Sequence, residues 1–292
     1  MIEELQFVLY KIYSISGLSN LTVGHVIQFN LVIFSVFLIE LLSVGWERSS
    51  LKKLIHFNKS SRTDVIVWLF EVFSVFNLFA FLLSLGSCYY LAGLIQKSFD
   101  LQLISHIENG TIQFIIVFVL SDLKEYFKHL FFHKFSPFWA IHEFHHSATN
   151  FNILTTHRFH FLQSAFGTFF DVIPYVLLGV PIQTYIAVKI LSHAHTLLVH
   201  SNITHSWGII GKYVLVSPAA HRIHHSVKKE HFDKNFAGTF IFWDRLFGTY
   251  HPPTEITELG IPDNPYNKKS FIYDVWLSIR RFFEAIQKLI RK

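Results

Sequence analysis

The sequence predicts an all-α polytopic membrane protein, with about three to four transmembrane helices plus a helical hairpin, carrying a cytosolic histidine-rich helical cap. Three observations predict it. Apolar residues make up 51% of the 292, charged residues only 15%, and mean hydropathy is +0.36, against roughly 25% charged in soluble domains. Long apolar runs recur through the first two thirds of the chain. The histidines gather in spaced clusters just where those runs return to basic loops. Net charge is +5 with His neutral. Its basic residues sit beside apolar runs, which fits an anionic membrane surface and argues against nucleic acid as a partner. The single cysteine, Cys88, excludes an intrachain disulfide and any cysteine-ligated zinc or iron–sulfur site.

Taken in order, residues 1–20 are mildly apolar and expected at the membrane interface. Glu3 and Glu4 stand where a cleavable leader would be basic. Leu21–Val44 is long enough to span, since a crossing needs about 20 residues. Glu40 near its end is expected at headgroup level. Trp46–Asp64 is a polar loop with Arg48, Lys52, Lys53, Lys59 and Arg62, and Val65–Leu85 is a second span edged by Cys88, Tyr89 and Tyr90. The connection over 93–110 sets Lys97 against Asp100 and Glu108. The positive-inside rule then puts 46–64 in the cytoplasm and 93–110 outside. Thr111–Leu120 opens a third span that runs on as helix towards His133, returning the chain to the cytoplasm.

Phe161–Val180, interrupted by Asp171, Pro174 and Gly179, pairs with Ile182–Val199 as a hairpin with both ends cytoplasmic. From Ser201 onward there are 13 Lys/Arg against 8 Asp/Glu, so this part is expected in the cytosol. Gly260–Asn267 is a turn region. The last segment places Ile272, Val275, Trp276, Ile279, Phe282, Phe283, Ile286 and Leu289 at helical spacing. That amphipathic helix either lies on the membrane or packs on the cap. The organisation is N-terminal transmembrane helices over 1–120, a catalytic region over 121–250 and a tail over 251–292.

The chemistry lies in two copies of His-x-x-His-His-Ser, at His142–Ser147 and His221–Ser226, with His129 and His133 upstream. On a helix, residues at i, i+3 and i+4 share a face, so each unit can aim its imidazoles at one point. Eight imidazoles exceed what one tetrahedral ion uses, which implies two metals. Imidazole without cysteine suits iron, zinc or copper. Isolated histidines such as His25, His56, His106, His231 and His251 are read as packing or interfacial residues. His142-Glu143-Phe144-His145-His146 also satisfies H-E-x-x-H, which allows a zinc metallopeptidase with Glu143 as general base. Arg222 occupies the corresponding place in the sister unit. A non-catalytic metal-binding or transport protein is the other alternative. With no nucleotide-binding loop in the sequence, a redox enzyme here takes its electrons from elsewhere.

The ordered set Asp122-x-x-x-Tyr126-x-x-His129-x-x-x-His133, Trp139-x-x-His142-x-x-His145-His146-Ser147, His200-Ser201-Asn202-Ile203, Pro218-x-x-His221-x-x-His224-His225-Ser226 and Trp243–Thr249 resembles the fatty acid hydroxylase/sterol desaturase superfamily. The resemblance implies an integral membrane oxygenase whose histidines hold two Fe ions at the cytosolic face. Such enzymes use O2 as co-substrate to hydroxylate, desaturate or cleave a lipid. Metal ligands by position are His129, His133, His142, His145, His146, His221, His224 and His225, with His200 as a ninth. His160 is a weaker candidate; His157, His195 and His205 are weaker still. Asp122 is expected to orient an imidazole. Leu130 and Phe161 depart from the Arg and Pro that many members carry there. The resemblance further implies an external electron donor, a ferredoxin, b-type cytochrome or reductase, and a substrate groove lined by Phe-rich helices. Few Met and many Ile, Lys and Asn point to an AT-rich bacterium, hence the inner membrane; in a eukaryote the place would be the endoplasmic reticulum.

Overall fold

The computed structural model describes residues 23–75, 78–79, 87–99, 102–255 and 258–291. The expected interfacial segment 1–20 lies outside them, as does most of the second half of the 65–85 span. Among the described residues the chain is helical without strands, and two isolated bridges, Leu215 to Phe240 and Ser226 to Leu259, tie loops together.

Helix α1 (Val23–Val44) follows the first expected span. Glu40, expected at headgroup level, is fully buried within the protein. It accepts hydrogen bonds from the Ser50 amide (2.7 Å), Ser50 Oγ (2.7 Å) and the Asn202 amide (2.6 Å). Three bonds to a charged acceptor, each worth about 1.5–3 kcal/mol, offset the desolvation of the carboxylate. The end of α1 is thereby fixed to the segment that follows His200.

The expected polar loop 46–64 is itself folded. Helix α2 (Ser50–Ile55) is capped by Ser49 and helix α3 (Lys59–Val72) by Asn58, whose side chains accept from Lys52 N and Ser61 N. Helix α3 therefore begins before the expected second span. Its polar first turns bury Ser60, Ser61 and Asp64 beside the 3-10 turn Ile153–His157. Asp64 meets Arg158 at 2.8 Å, both side chains fully buried. Arg158 also donates to Phe144 O (2.9 Å), Ser60 O (3.0 Å), Ser147 Oγ (3.0 Å) and Asn267 Oδ1 (2.6 Å). One guanidinium thus joins four chain segments.

After α4 (Ser87–Ser98), helix α5 (Gly110–Lys134) starts at an Asn109 cap and runs unbroken through the third expected span to the first histidine pair. Pro137 in the first turn of α6 (Ser136–His146) sets the break between them. Helices α7 (Phe161–Leu178) and α8 (Ile182–Val199) form the expected hairpin. Gly179 takes the left-handed conformation that ends α7 (φ 64°), and Pro181 caps α8. Among the described residues α7 is the helix long and apolar enough to cross a membrane, with a shorter apolar stretch at Asn30–Val44. Helices α5, α7 and α8 meet at a charged knot. Lys128 lies 2.6 Å from Glu125 and 3.3 Å from Asp171, Lys124 pairs with both acids, and Lys189 approaches each at 3.9 Å.

Short helices α9 (Gly208–Tyr213), α10 (Pro218–His224) and α11 (Phe242–Leu246) complete the cap. The final helix α12 (Phe271–Ile290) packs along α6, with Phe282 touching Phe138 and Phe166 at ring distances of 6.4 and 5.8 Å. Leu130 and Phe161 each pack in an apolar cluster, which accounts locally for apolar residues at those two positions.

Candidate metal centre

Four elements supply the histidines. The last turns of α5 present His129 and His133, α6 presents His142, His145 and His146, the C-cap of α8 is His200, and α10 with its C-cap presents His221, His224 and His225. Both α6 and α10 end at their histidines, so ring nitrogens one turn apart face the same interior. His129, His133, His142, His146 and His224 bring one nitrogen each within 4.8 Å of one another, and His145, His200 and His225 do the same. The ring of His225 lies 4.4 Å from that of His146, so the two groups adjoin.

The donor set passes a simple test for metal. Two nitrogens bound at right angles to one ion at about 2.1 Å are about 3 Å apart. His133 Nε2 and His146 Nε2 are separated by 3.1 Å, His221 Nε2 and His200 Nε2 by 3.1 Å, and His200 Nε2 and His145 Nε2 by 3.4 Å. The outer nitrogens are held by the protein. His129 Nδ1 meets Phe236 O (2.8 Å), His224 Nδ1 meets Lys234 O (2.9 Å), His200 Nδ1 meets Thr196 O (2.8 Å) and His142 Nδ1 meets Gln163 Oε1 (3.1 Å). Donation from Nδ1–H to these oxygens leaves Nε2 with its lone pair inward, the tautomer a metal needs. His142 Nε2, His224 Nε2 and His225 Nε2 are buried without a hydrogen-bond partner among the described residues. Buried polar atoms without partners are costly, and a cation would satisfy them. Burial and neighbouring imidazoles hold His145, His146, His221 and His225 well below the ordinary histidine value, hence neutral. His221 adjoins the second group through His200.

Other candidates fall elsewhere. His160 caps α7: its Nδ1 accepts from Leu162 N (3.2 Å) and its Nε2 donates to Val275 O (3.2 Å), so both nitrogens serve the fold. His157 pairs with Glu71 at 2.5 Å, His195 lies against Trp207, and His205 Nδ1 accepts from Trp207 N. Asp122 touches no imidazole. It accepts from the Thr239 and Phe240 amides at 2.8 Å each, anchoring the strip whose Phe236 carbonyl receives His129. Asp244, absent from the expected site, grips the same strip through the Phe236 and Ala237 amides (2.7 and 3.0 Å). Its carboxyl is pushed up to about 6 by burial. Gln163 was equally illegible. An Asn/Gln facing a histidine nitrogen across 21 residues leaves no local pattern.

Glu143 is engaged away from general-base duty. Arg281 Nε lies 2.5 Å from Oε1 and Arg281 Nη2 donates to Oε2 (3.0 Å), while Tyr266 OH donates to Oε1 (2.8 Å). A cavity of about 490 Å³ reaches the histidines at His133, His146 and His224, walled by Trp139, Glu143, Phe232, Ile261 and Arg281 among others. The expected Phe-lined groove is not this cavity. Phe131, Phe132, Phe138, Phe166 and Phe282 instead pack against one another between α5, α6, α7 and α12. Mutual packing covers more of their surface than an open groove would.

Residues 114–249 match the family model described as fatty acid hydroxylase. That matched stretch, just under half of the chain, is similar to the fatty acid hydroxylase/sterol desaturase superfamily. Similar proteins include an ornithine lipid hydroxylase of Rhizobium tropici, 29% identical over 151 residues (51% of this chain, 45% of the relative). An alkylglycerol monooxygenase of Xenopus tropicalis is 30% identical over 151 residues (50% and 32%). An alternative squalene epoxidase of Phaeodactylum tricornutum is 31% identical over 157 residues (50% and 43%). The chain spans less than half the length of these curated relatives. No solved structure matches at a significant level. The stretch that matches the fatty acid hydroxylase model contains every histidine of the two groups.

Proposed function

We propose that the chain is a membrane di-iron lipid monooxygenase that uses O2 to place a hydroxyl on an unactivated C–H bond. The observation that carries this reading is the convergence of two histidine groups, with their outer nitrogens already bound, inside a stretch similar to this superfamily. His129, His133, His142, His146 and His224 would hold one Fe ion, and His145, His200, His225 and His221 the other. When bound, iron supplies the redox chemistry that activates dioxygen. In balance, one oxygen atom enters the C–H bond and the other leaves as water, with two electrons and two protons taken up. The electrons come from an external donor, a ferredoxin, b-type cytochrome or reductase.

The chain's own residues do the rest. Backbone carbonyls and Gln163 fix the imidazole tautomers; Asp122 and Asp244 hold the strip that provides one of those carbonyls. Burial of the cluster excludes bulk water, and the cavity beside His133, His146 and His224 is where a reacting carbon reaches the site. Hydroxylation is preferred to desaturation because similar proteins include an ornithine lipid hydroxylase and an alkylglycerol monooxygenase. The substrate class is accordingly a membrane lipid, reached from the bilayer that α7 is able to cross, with the histidine cap on the cytosolic side. The metallopeptidase alternative loses its base, since both oxygens of Glu143 are already bonded to Arg281 and Tyr266.

Lipid extracts from cells expressing the chain under heavy-isotope dioxygen test the reading. One labelled oxygen per hydroxylated lipid, absent from the His146→Ala strain, is the expected result. An unchanged lipid profile in cells with abundant, metal-loaded protein would overturn it.

A further inference from the structure

Helix α12 carries more apolar surface than its packing on the domain uses. At about 100° per residue, Ile272, Trp276, Ile279, Phe283, Ile286 and Ile290 fall within an arc of about 80°. Most of that arc faces outward: Ile272 is 77% exposed, Trp276 48%, Phe283 56% and Ile290 79%, while Ile279 and Ile286 are half-buried. The inward side is mixed: Leu277 and Phe282 are buried among apolar neighbours, and polar groups lie between them. Asp274 accepts from the Asn267 amide (3.0 Å), Ser278 Oγ bonds Tyr266 OH (3.0 Å) and Arg281 binds Glu143. A helix that buried its whole apolar complement in the protein would leave no such stripe outside.

The charges beside the stripe are mostly basic. Lys268, Lys269, Arg280, Lys288 and Arg291 are exposed along and next to α12, against one exposed acid of the helix, Glu284. An apolar stripe bordered by ammonium and guanidinium groups fits the acyl–headgroup boundary of a leaflet containing anionic lipid. The surroundings agree, because Phe282 and Ile286 of α12 belong to the same apolar cluster as Leu162 and Phe166 of α7, the helix long enough to cross a bilayer.

We propose that α12 lies in the surface of an anionic bilayer and seats the histidine cap on it. The proposal rests on the membrane reading above and adds the element and the lipid charge. Its consequence is local: Arg281, on the inward side of the same helix, walls the cavity that reaches His133, His146 and His224. Membrane contact through α12 therefore sets how that cavity stands to the lipid.

The test uses the full chain with Cys88→Ser, the native cysteine removed, and single spin labels at Ile272→Cys, Phe283→Cys, Ile290→Cys and, as controls, Glu284→Cys and Gln287→Cys. Each is reconstituted in phosphatidylcholine vesicles with and without phosphatidylglycerol, and collision with oxygen is compared with collision with a water-soluble nickel complex. We expect an oxygen-to-nickel ratio several-fold higher on the stripe than at Glu284, and higher with phosphatidylglycerol than without it. Equal ratios at all positions would overturn the proposal. A contrast indifferent to phosphatidylglycerol would overturn its anionic part. Spin–spin broadening on the stripe that persists in detergent would show a second copy covering the face, also overturning it. Lipid hydroxylation by the Cys88→Ser parent is followed in parallel. Activity with a water-exposed stripe refutes the α12 proposal alone, and loss of both refutes the membrane reading.

Discussion

Arg158→Met is expected to destabilise the cap by about 3–5 kcal/mol, the cost of leaving a buried partner charge uncompensated. The magnitude follows from the setting. Arg158 and Asp64 are both fully buried, 2.8 Å apart, so no water takes over when one is removed. Four further groups, Ser60 O, Phe144 O, Ser147 Oγ and Asn267 Oδ1, lose their donor at the same time. Against a typical stability of about 5–15 kcal/mol, this is a large fraction. Phe144 and Ser147 flank His145 and His146, so loosened anchoring should also lower metal content. Removing both charges with Arg158→Met/Asp64→Leu should be less harmful than the single change. Denaturant titration in detergent micelles, read by tryptophan fluorescence and paired with metal analysis, measures both effects. A single-variant loss below about 1 kcal/mol with full metal content would refute this account of the Asp64–Arg158 hub.

Three other outcomes are expected. His225→Ala should lose metal, whereas His160→Ala, which removes a helix cap, should keep its full complement while losing about 1 kcal/mol of stability; elemental analysis of both decides. Glu40→Ala should cost about 1–3 kcal/mol for each buried donor it strands among Ser50 and Asn202, and a melting temperature equal to that of the parent would contradict this. Finally, imidazoles held below their ordinary value bind fewer protons in the folded than in the unfolded chain, where they titrate near about 6.5. Stability is therefore complete above that pH and falls on acidification, by about 1.4 kcal/mol per pH unit per affected group. A protein that grew more stable between about pH 6.5 and 5 would refute the assignment of His145, His146, His221 and His225 as buried neutral groups.

The parts of the molecule legible in the sequence are those governed by local spacing. The i, i+3, i+4 pattern places His142, His145 and His146 on one face of α6, and the same rule holds in α10. The breaks at Gly179 and Pro181 mark the α7–α8 hairpin, and the run from Thr111 to His133 is one helix. What escaped is held by partners far apart in the chain. The burial of Glu40 leaves no local sign because one amide that meets it belongs to Asn202. The 46–64 segment looked like a loop because Asp64 gives no sign that Arg158 awaits it. Asp122 looked like a partner for imidazole, but its carboxylate is spent on the amides of Thr239 and Phe240. His160, beside Arg158, sits among good ligands in sequence and at a helix cap in space.

Metal content per chain in the purified, full-length protein after reconstitution with ferrous iron tests the central claim most directly. Two adjoining histidine groups predict about two iron ions per chain, with reductant-dependent oxygen uptake stimulated by lipid, and His145→Ala and His133→Ala each lowering the iron count. One tightly held zinc per chain that iron does not replace, with no oxygen uptake, would contradict it.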